Sequence, residues 1–385
     1  MDYRPIGNTG LEASVVGLGT EHLDNKPYET VKEVIDAAFE HGINIMDVFM
    51  PGEEVRTNIG RALAGRRDRF IIQGHLGSVD INQQYDISRG LDACKRYFEN
   101  LLRFLGTEYI DLGMLFFMDT DAAIDECLEH GIVDYARKLK ADGVVRALGA
   151  STHNPATGRR LVEEGLVEML MFSVNPAFDL MPGTSNIEDM LGDGFTTRVT
   201  TIDPERAELY RLCQSRGVGI TVMKTLGSGK LLSADHTPFA APLTVTQCIH
   251  YALTRPAVSS VLIGCQSREQ VAEAAGYVDA PEKAKDYAAA VSRFRADSQG
   301  EFKGSCVYCN HCLPCPSEID IASLTKYLDI ARLSPENIPP SIAQHYRSLE
   351  RHGSDCMECR SCEERCPFSV PIVENMRQAT SLFGL

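Results

Sequence analysis

Eight cysteines near the end of the chain form two runs whose spacing suits iron and sulfide. The first run is Cys306-x2-Cys309-x2-Cys312-x2-Cys315-Pro316, and the second is Cys356-x2-Cys359-x2-Cys362-x3-Cys366-Pro367. A cubane [4Fe-4S] cluster needs four thiolates, and in two-cluster proteins the cysteine that precedes the proline binds the other cluster. The spacing therefore predicts two [4Fe-4S] clusters and the transfer of single electrons.

Each predicted ligand set combines cysteines of both runs. One set is Cys306, Cys309, Cys312 and Cys366, and the other is Cys315, Cys356, Cys359 and Cys362. Zinc is the alternative metal, since C-x2-C pairs also make tetrahedral sites of four sulfurs, although such sites do not close four strung cysteines with Cys-Pro twice. The first run has two residues rather than three before Cys315, so a [3Fe-4S] or labile cluster in the second set is a further alternative.

Composition and charge limit the partners. A net charge of −15 over 385 residues argues against nucleic acid or an anionic membrane surface, because both need a basic face. The N-terminal residues contain no apolar stretch of signal-peptide length, and no segment approaches the roughly 18 apolar residues of a membrane span. With 13 cysteines and no export signal, we expect a cytoplasmic protein.

The length suits two domains. We expect a large domain over residues 1–285 and a small one over 286–385, and 44% hydrophobic residues suffice for a core. Five further cysteines lie singly in the large domain, and we interpret most of them as small core residues. They are Cys94, Cys127, Cys213, Cys248 and Cys265.

The first 285 residues alternate short apolar, β-branched runs with amphipathic stretches, the pattern of parallel strands covered by helices. The pattern predicts an α/β fold, an eightfold (β/α)8 TIM barrel. Strands are expected at 15–20, 43–48, 70–76, 110–117, 145–151, 167–174, 218–224 and 259–264. Helices are expected near 29–41, 53–64, 88–105, 121–141, 156–164, 205–216, 244–254 and 267–277.

The residues after 285 predict a small, mainly helical domain. Helices are expected at 320–328 and 341–347, between the cysteine runs, and a charged helix over 281–300 is expected to join the two domains. This arrangement resembles helical two-cluster ferredoxin modules.

Two segments at the ends of the last two strands suit a phosphate. Residues 223–230 read MKTLGSGK, and residues 264–270 read GCQSREQ and open a helix. Gly-rich turns and helix N-termini expose N–H groups, and Lys230 and Arg268 are nearby cations. A nucleotide cofactor is the functional interpretation. The alternative is that the glycines only make tight turns and the basic residues are solvated.

The chain resembles the aldo/keto reductase superfamily, specifically its members that carry a C-terminal [4Fe-4S] ferredoxin domain. The resemblance covers essentially the whole chain. It rests on both cysteine runs and on YRPIGNTGL at 3–11, VGLGT at 16–20, GINIMD at 42–47, YIDL at 109–112, GASTHN at 149–154 and Met223-Lys224. It implies an eightfold barrel that binds NADP(H) in an extended pose, with the phosphates over the last two strand ends, and that reduces carbonyls by hydride transfer.

By this resemblance, a set of residues is expected on the cofactor side, with Arg268 as a nearby cation. The set is Ser151, Asn175, Leu226, Gly227, Gly229, Gly264, Ser267 and Gln270.

The family's catalytic tetrad of aspartate, tyrosine, lysine and histidine is matched only at Asp47. The family tyrosine is missing, because residues 48–52 read VFMPG. The lysine position is matched by His75, with Gly74 as an alternative alignment, and Phe116 stands where the family has histidine. Without a phenol to protonate the alkoxide, ordinary carbonyl reduction is doubtful.

A different polar set is therefore expected on the barrel face. His75 is a candidate acid beside Asp47, and His153 and Lys224 follow or end other strands on the same face. His22 and Asp119 are expected there too. A structural hydrogen-bonding role is the alternative for each.

The sequence leaves two hypotheses. In the first, an iron–sulfur oxidoreductase holds a small-molecule substrate and a nucleotide cofactor in the barrel, and its clusters exchange electrons with a ferredoxin, flavodoxin or other redox partner. Nicotinamides transfer hydrides whereas clusters take single electrons, so FMN is a candidate beside NADP(H). In the second, the barrel is a catalytically silent scaffold, and the ferredoxin module relays electrons to a partner enzyme.

Overall fold

The computed structural model of the protein describes residues 1–81, 84–180, 202–235, 237–291, 306, 312–332, 335–336, 338, 340–366 and 370–385. Their contacts divide them into two compact units. One unit takes residues up to 180, together with 202–234 and 241–291, and the other takes 235, 237–240 and the described residues from 306 onward. Each unit has its own apolar core.

The strands of the first unit are short. They are β1 (Tyr3–Pro5), β2 (Glu12–Ser14), β3 (Val16–Gly19), β4 (Ile45–Val48), β5 (Ile71–Leu76), β6 (Ser78–Ile81), β7 (Gln84–Ile87), β8 (Ile110–Leu115), β9 (Val145–Thr152), β10 (Met169–Ser173), β11 (Gly219–Met223) and β12 (Val258–Gly264).

Eight of these strands close a parallel barrel, in the order β3-β4-β5-β8-β9-β10-β11-β12 and back to β3. All eight predicted barrel strands are confirmed. Each is a nearly continuous apolar run because helices cover its outer face and side chains fill its inner face. The inner layer contains Ile45, Leu112, Met114 and Met169, and the larger core lies between strands and helices.

Helices follow the barrel strands as predicted, with two exceptions. The helix expected over 121–141 is broken at Gly131, whose φ of 77° is left-handed, and the short helix Pro176–Asp179 was not predicted. The helices are α1 (Tyr28–Glu40), α2 (Glu53–Ala62), α3 (Leu91–Leu105), α4 (Asp121–Glu129), α5 (Ile132–Ala141), α6 (Pro155–Glu163), α7 (Pro176–Asp179), α8 (Pro204–Arg216), α9 (Val245–Leu253), α10 (Arg268–Ala275), α11 (Glu282–Lys285) and α12 (Ala288–Val291).

Two hairpins were not predicted. Strands β1 and β2 pair before the barrel, and β6 and β7 pair directly after β5. The second hairpin lies at the carboxyl end of the barrel, where active sites of this fold are found. The single charged helix predicted over 281–300 was wrong within the described residues, since α11 and α12 are separated by extended backbone at Asp286. The rest of that segment lies outside the described residues.

The second unit is helical in its described part. Its helices are α13 (Ile321–Arg332), α14 (Pro340–Arg347), α15 (Ser361–Arg365) and α16 (Ile372–Phe383). The first two confirm the helices predicted between the cysteine runs. They pack on a core that includes Leu324, Leu328, Tyr346 and Met376, and Tyr346 stacks on Phe383 with ring centroids 4.0 Å apart.

Candidate functional site

The carboxyl ends of β4 and β5 bring Asp47 and His75 together. Register pairs Asp47 with Gln73, two residues before His75 and on the same inner face. Nε2 of His75 lies 2.7 Å from Oδ1 of Asp47, and the amide of Gln73 donates to the same oxygen at 3.1 Å. Both side chains of the pair are buried, and Nδ1 of His75 is buried without a partner among the described residues.

Gly74, the alternative to His75, points in the opposite direction. A Cβ on Gly74 would lie 2.5 Å from Leu101 of α3, so that position faces the helices outside the barrel. His75 faces inward, toward Asp47. Phe116, at the family's histidine position, packs edge to face on His75 with ring centroids 5.2 Å apart.

Aromatic rings surround the imidazole. Phe49 and Phe116 each contact His75, at centroid distances of 6.2 and 5.2 Å. Tyr85 of the β6–β7 hairpin packs on both phenylalanines, at 5.3 and 6.4 Å. Sequence reasoning missed Tyr85. The available signal was the apolar alternation on either side of residues 82–83, which is typical of a two-residue hairpin loop.

Two arginines, the buried Arg56 and the partly buried Arg89, bond backbone carbonyls beside these rings, and sequence reasoning missed both. Arg56 donates to the carbonyl of Met50 at 2.8 Å and to Tyr97 at 3.1 Å. Burial lowers the pKa of Arg56 to about 9, the nearby charge of Asp80 opposing the effect. Arg89 donates to the carbonyls of Phe116 and Phe117, at 2.9 and 2.8 Å. The backbone partners of Arg56 and Arg89 include residues distant in sequence, so no local pattern marks either arginine.

A second carboxylate–imidazole pair lies after β8 and β9. Asp119 accepts from the backbone N–H of His153 at 2.7 Å, and its other oxygen lies 2.9 Å from Nδ1 of the same residue. The hydroxyl of Thr152 also donates to the carboxylate of Asp119. Burial raises the pKa of Asp119, but the charge and hydrogen bonds of His153 and Thr152 outweigh burial and hold that pKa below its usual value. Phe117 packs on His153, with centroids 5.2 Å apart.

The other two polar candidates lie at the ends of further strands. Lys224 follows β11, is exposed, and has a left-handed φ of 59°. His22, after β3, lies against Gly264 at the end of β12. Of the predicted catalytic residues, contacts therefore link Asp47 with His75 and, separately, His153 with Asp119.

The residues expected near a phosphate follow β11 and β12. Leu226, Gly227 and Gly229 belong to a 3-10 turn after β11, with φ of 56° at Gly227 and 83° at Gly229. Ser267 caps α10 by accepting from the N–H of Gln270. Arg268 is held by the carboxylate of Glu40.

The remaining two cofactor-side residues are buried. Ser151, at 4% exposure, accepts the N–H of Phe117 at 2.9 Å. Asn175 is fully buried; its amide donates to the carbonyl of Lys224, and its oxygen accepts from the N–H of Phe178, both at 2.9 Å.

In the second unit, four cysteines line one cavity. They are Cys315, Cys356, Cys359 and Cys362. This grouping is the one that the spacing assigned to the second cluster. Four thiols around one cavity make the donor set that a cubane cluster requires.

The other predicted ligands lie on the same core. Cys312 is buried in it, and Cys306 and Cys366 pack against it, while Cys309 lies outside the described residues. Arg365 of α15 donates to the carbonyls of Cys312 and Pro314, which ties the two cysteine runs together. Among the described residues, no three His, Cys, Asp or Glu side chains are placed for a single metal ion.

The sulfurs of the cavity differ in environment. Hydrogen bonds from the backbone and hydroxyl of Ser361 lower the pKa of the exposed Cys359 thiol. Burial raises the pKa of Cys362 to about 11 and also raises that of Cys356, whose sulfur accepts the N–H of Glu358 at 3.4 Å. Hydrogen bonds of this kind are among the groups that tune cluster potentials.

The five barrel cysteines are all buried, and burial raises the pKa of each thiol. The pKa is about 11 at Cys94 and about 12 at Cys213, Cys248 and Cys265, and it is raised at Cys127. Inert, protonated thiols of this kind fit the core interpretation.

The closed parallel barrel with polar side chains at its carboxyl end defines an α/β-barrel protein. Residues 15–245 match the model of the Aldo/keto reductase family, and the chain belongs to that family. Aldo/keto reductases are oxidoreductases that act on small molecules, and this chain is an oxidoreductase.

The chain is similar to two proteins of Bacillus subtilis. An uncharacterized oxidoreductase, YqkF of Bacillus subtilis, is 26% identical over 288 residues, which cover 71% of this chain and 90% of YqkF. Aldo-keto reductase YhdN of the same organism is 31% identical over 163 residues, 39% of this chain and 47% of YhdN.

The structure of aldo-keto reductase AKR11C1 from Bacillus halodurans in its holo form superposes with a TM-score of 0.59 at 21% identity, covering 76% of this chain and 97% of that one. PA4992 of Pseudomonas aeruginosa gives 0.55 at 20% identity, with 72% and 95% covered. At this identity the likeness concerns the fold. Within the described residues, no helix is long and apolar enough to span a membrane.

Proposed function

We propose that the chain is an iron–sulfur oxidoreductase, in which a ferredoxin-like module with two [4Fe-4S] clusters serves a small-molecule site at the mouth of the barrel. The observation that carries the proposal is the cavity lined by Cys315, Cys356, Cys359 and Cys362, the four cysteines that spacing assigns to one cluster. When bound, the clusters supply one-electron transfer. A ferredoxin, flavodoxin or similar carrier is the proposed external partner.

In this proposal His75 exchanges the proton of the reaction. A carboxylate only accepts hydrogen bonds, so its contact with Asp47 makes Nε2 of His75 the donor. Nδ1 is then the free position, and it has no partner among the described residues. A neutral imidazole accepts a proton at Nδ1, and an imidazolium donates one there. Asp47 orients the ring and stabilises its charged form.

The aromatic wall sets the character of the proposed substrate. Phe49 and Phe116 pack on His75, and Tyr85 packs on both phenylalanines; these apolar rings favour a planar, conjugated molecule and exclude water from the imidazole. Tyr85 also brings a phenol to the same wall, although residues 48–52 lack one. We assign Tyr85 as a second candidate proton donor.

FMN stays part of the proposal as an optional cofactor. A bound flavin would exchange both two-electron and one-electron equivalents, which single clusters do not do. Gly227 and Gly229, with left-handed backbone at the end of β11, are the residues that would lie beneath its single phosphate.

The proposal is tested by cluster reoxidation. Protein reduced anaerobically is mixed with a panel of conjugated ketones, enoates and quinones, and the return of cluster absorption is followed. We expect at least one compound to reoxidise the wild type roughly 100-fold faster than His75→Gln, since positioned acids and bases contribute about that much. His41→Gln, at an exposed position, is the matched control and should keep the wild-type rate.

Equal rates in the wild type and His75→Gln for every compound would contradict an active barrel. That result would favour the alternative, a silent barrel whose ferredoxin module relays electrons to a partner enzyme.

A further inference from the structure

We infer that the iron held by Cys359 is the weak point of the second proposed cluster, so that a one-electron oxidant releases this iron first and leaves Cys359 as a free, modifiable thiol. This site presupposes the clusters proposed above. Spacing alone marks a different ligand, Cys315, because only two residues separate it from Cys312. Burial and backbone contacts favour Cys359 instead.

The cavity that the four thiols line has a buried side and an exposed side. The buried side is formed by four apolar side chains of at most 2% exposure, Ile319, Ile321, Ile372 and Met376. On the exposed side, Met357 is 63% exposed, and Cys359 and Arg360 are exposed as well. Water and small oxidants therefore reach a cluster in this cavity from the side of Cys359.

The four thiols differ in the same sense. Cys362 is 7% exposed and belongs to the apolar core of this unit, and Cys315 and Cys356 are half-buried and pack against that core. Cys359 is exposed. The exposure of a sulfur helps to decide which thiol an oxidant or an alkylating reagent attacks first, which places Cys359 ahead of the other three.

The backbone around Cys315 is held on both sides. Its carbonyl accepts the N–H of Glu318 at 2.9 Å. The guanidinium of Arg365 donates to the carbonyl of Pro314, the residue before it. Cys315 is therefore anchored in a braced turn, and its shorter spacing does not by itself make it the weakest ligand.

The backbone around Cys359 is held less firmly. Glu358 and Arg360 flank it, are exposed, and have left-handed φ of 56° and 61°, a conformation that non-glycine residues adopt at a cost. The carboxylate of Glu358 is paired with Arg377 of α16, and exposed ion pairs of this kind contribute little. Release of the thiol lets both flanking residues relax, so the local backbone favours it.

The proposed step balances in iron and in charge. The oxidant takes one electron from a [4Fe-4S]²⁺ core, which then releases Fe²⁺ and becomes [3Fe-4S]⁺, and all four sulfides stay. Cys315, Cys356 and Cys362 keep their iron ions, and the thiolate of Cys359 is left free. Iodoacetamide alkylates that thiolate, its carbon–iodine bond breaking as the sulfur–carbon bond forms.

The test is thiol mapping during controlled oxidation of the intact, anaerobically purified protein. Ferricyanide is added stoichiometrically in the presence of iodoacetamide, and peptide mass spectrometry identifies the alkylated cysteines. We expect Cys359 to be alkylated at least about tenfold more than the other three thiols of its set, with the loss of about one iron per chain and the paramagnetic signal of a three-iron cluster. The buried Cys127 should stay unlabelled throughout.

Two matched variants test the same assignment without an oxidant. Cys359→Ala should keep the second cluster, with about seven iron ions per chain or more, because three thiols and the buried side of the cavity remain. Cys362→Ala removes the thiol that lies in the core and should lose this cluster, leaving about four iron ions per chain. Equal iron contents in the two variants would overturn the inference.

The labelling has clear contrary outcomes. Alkylation that begins at Cys315, Cys356 or Cys362, that affects all four thiols equally, or that is confined to the first cysteine run would overturn the assignment to Cys359. Iron and sulfide are measured on the same samples. Protein that contains neither would contradict the proposed clusters themselves, whereas loaded protein that is labelled elsewhere would contradict only the role of Cys359.

Discussion

Nε2 of His75 lies 2.7 Å from Oδ1 of Asp47, and both side chains are buried inside the mouth of the barrel. Gln73 shares the same carboxylate oxygen. One acid thus satisfies two buried donors from the neighbouring strand. The arrangement fixes the imidazole with Nδ1 unpartnered among the residues that the structure describes, and the proposed chemistry depends on that orientation.

Removing this carboxylate should destabilise the barrel. Asp47→Ala leaves the buried Nε2 of His75 and the amide of Gln73 without an acceptor, at about 1–3 kcal/mol for each. We expect a loss of roughly 2–5 kcal/mol in the free energy of unfolding, measured by urea denaturation of the barrel. Asp47→Asn keeps an acceptor oxygen, so its free energy of unfolding should fall by less than that of Asp47→Ala.

The matched control is Asp142→Ala, which removes an exposed carboxylate paired with Lys138 and should cost less than about 1 kcal/mol. If Asp47→Ala were no more destabilising than this control, the buried pair would not contribute as described.

Arg89 should be needed to hold the aromatic wall. Arg89→Met removes the donors to the carbonyls of Phe116 and Phe117 and should cost about 2–4 kcal/mol of unfolding free energy. The same variant should loosen the contact of Phe116 with His75, seen as a change in near-ultraviolet circular dichroism. Arg103→Met, at an exposed position on α3, should change neither signal. Unchanged dichroism in Arg89→Met would argue against this role.

Stability should depend on pH through Asp119. Its pKa is lower in the folded protein than its ordinary value of 3.8, so ionised Asp119 stabilises the fold above that pH, and the contribution is lost as the pH falls. His153→Gln removes the group that lowers this pKa and should cost about 1–3 kcal/mol at neutral pH. The difference from the wild type should shrink below about pH 4. A difference in unfolding free energy between the wild type and His153→Gln that grows as the pH falls would contradict the stabilising role of ionised Asp119.

Ser361 should tune the potential of the cluster proposed at Cys359. Ser361→Ala removes the hydroxyl that donates to the Cys359 sulfur, and fewer hydrogen bonds to sulfur disfavour the reduced cluster. We expect a more negative midpoint potential, by on the order of 50 mV, close to a tenfold change in a one-electron equilibrium. Ser323→Ala on α13 is the control. An unchanged or more positive potential in Ser361→Ala would contradict the proposed contact.

The barrel was predictable because its strands are buried on both faces and its helices repeat with a clear period. The residues at 3–14 and 78–87 were not assigned to strands, since three- or four-residue strands carry too little alternation to stand out. Gly131 breaks a continuous amphipathic stretch with a single residue. Helices α15 and α16 were missed because they follow or overlap the second cysteine run, where cysteine spacing dominates the pattern.

The site was predictable where a motif or a strand register carries it. The spacing of the cysteines predicted the grouping around the cavity, and the strand order predicted the approach of His75 to Asp47. Arg56 and Arg89 meet the site through contacts distant in sequence, which no local pattern encodes. The hydrogen bonds that occupy Ser151 and Asn175 were equally invisible, because the resemblance marks positions and not their partners.

The most direct test of the account is the metal content of anaerobically purified protein, with electron paramagnetic resonance after reduction by dithionite. The account predicts about eight iron and eight sulfide ions per chain. In Cys356→Ala it predicts about half of that content or less, and in Cys127→Ala, which removes a buried barrel thiol, it predicts no change. Stoichiometric zinc without sulfide, or an iron content that Cys356→Ala leaves intact, would contradict it.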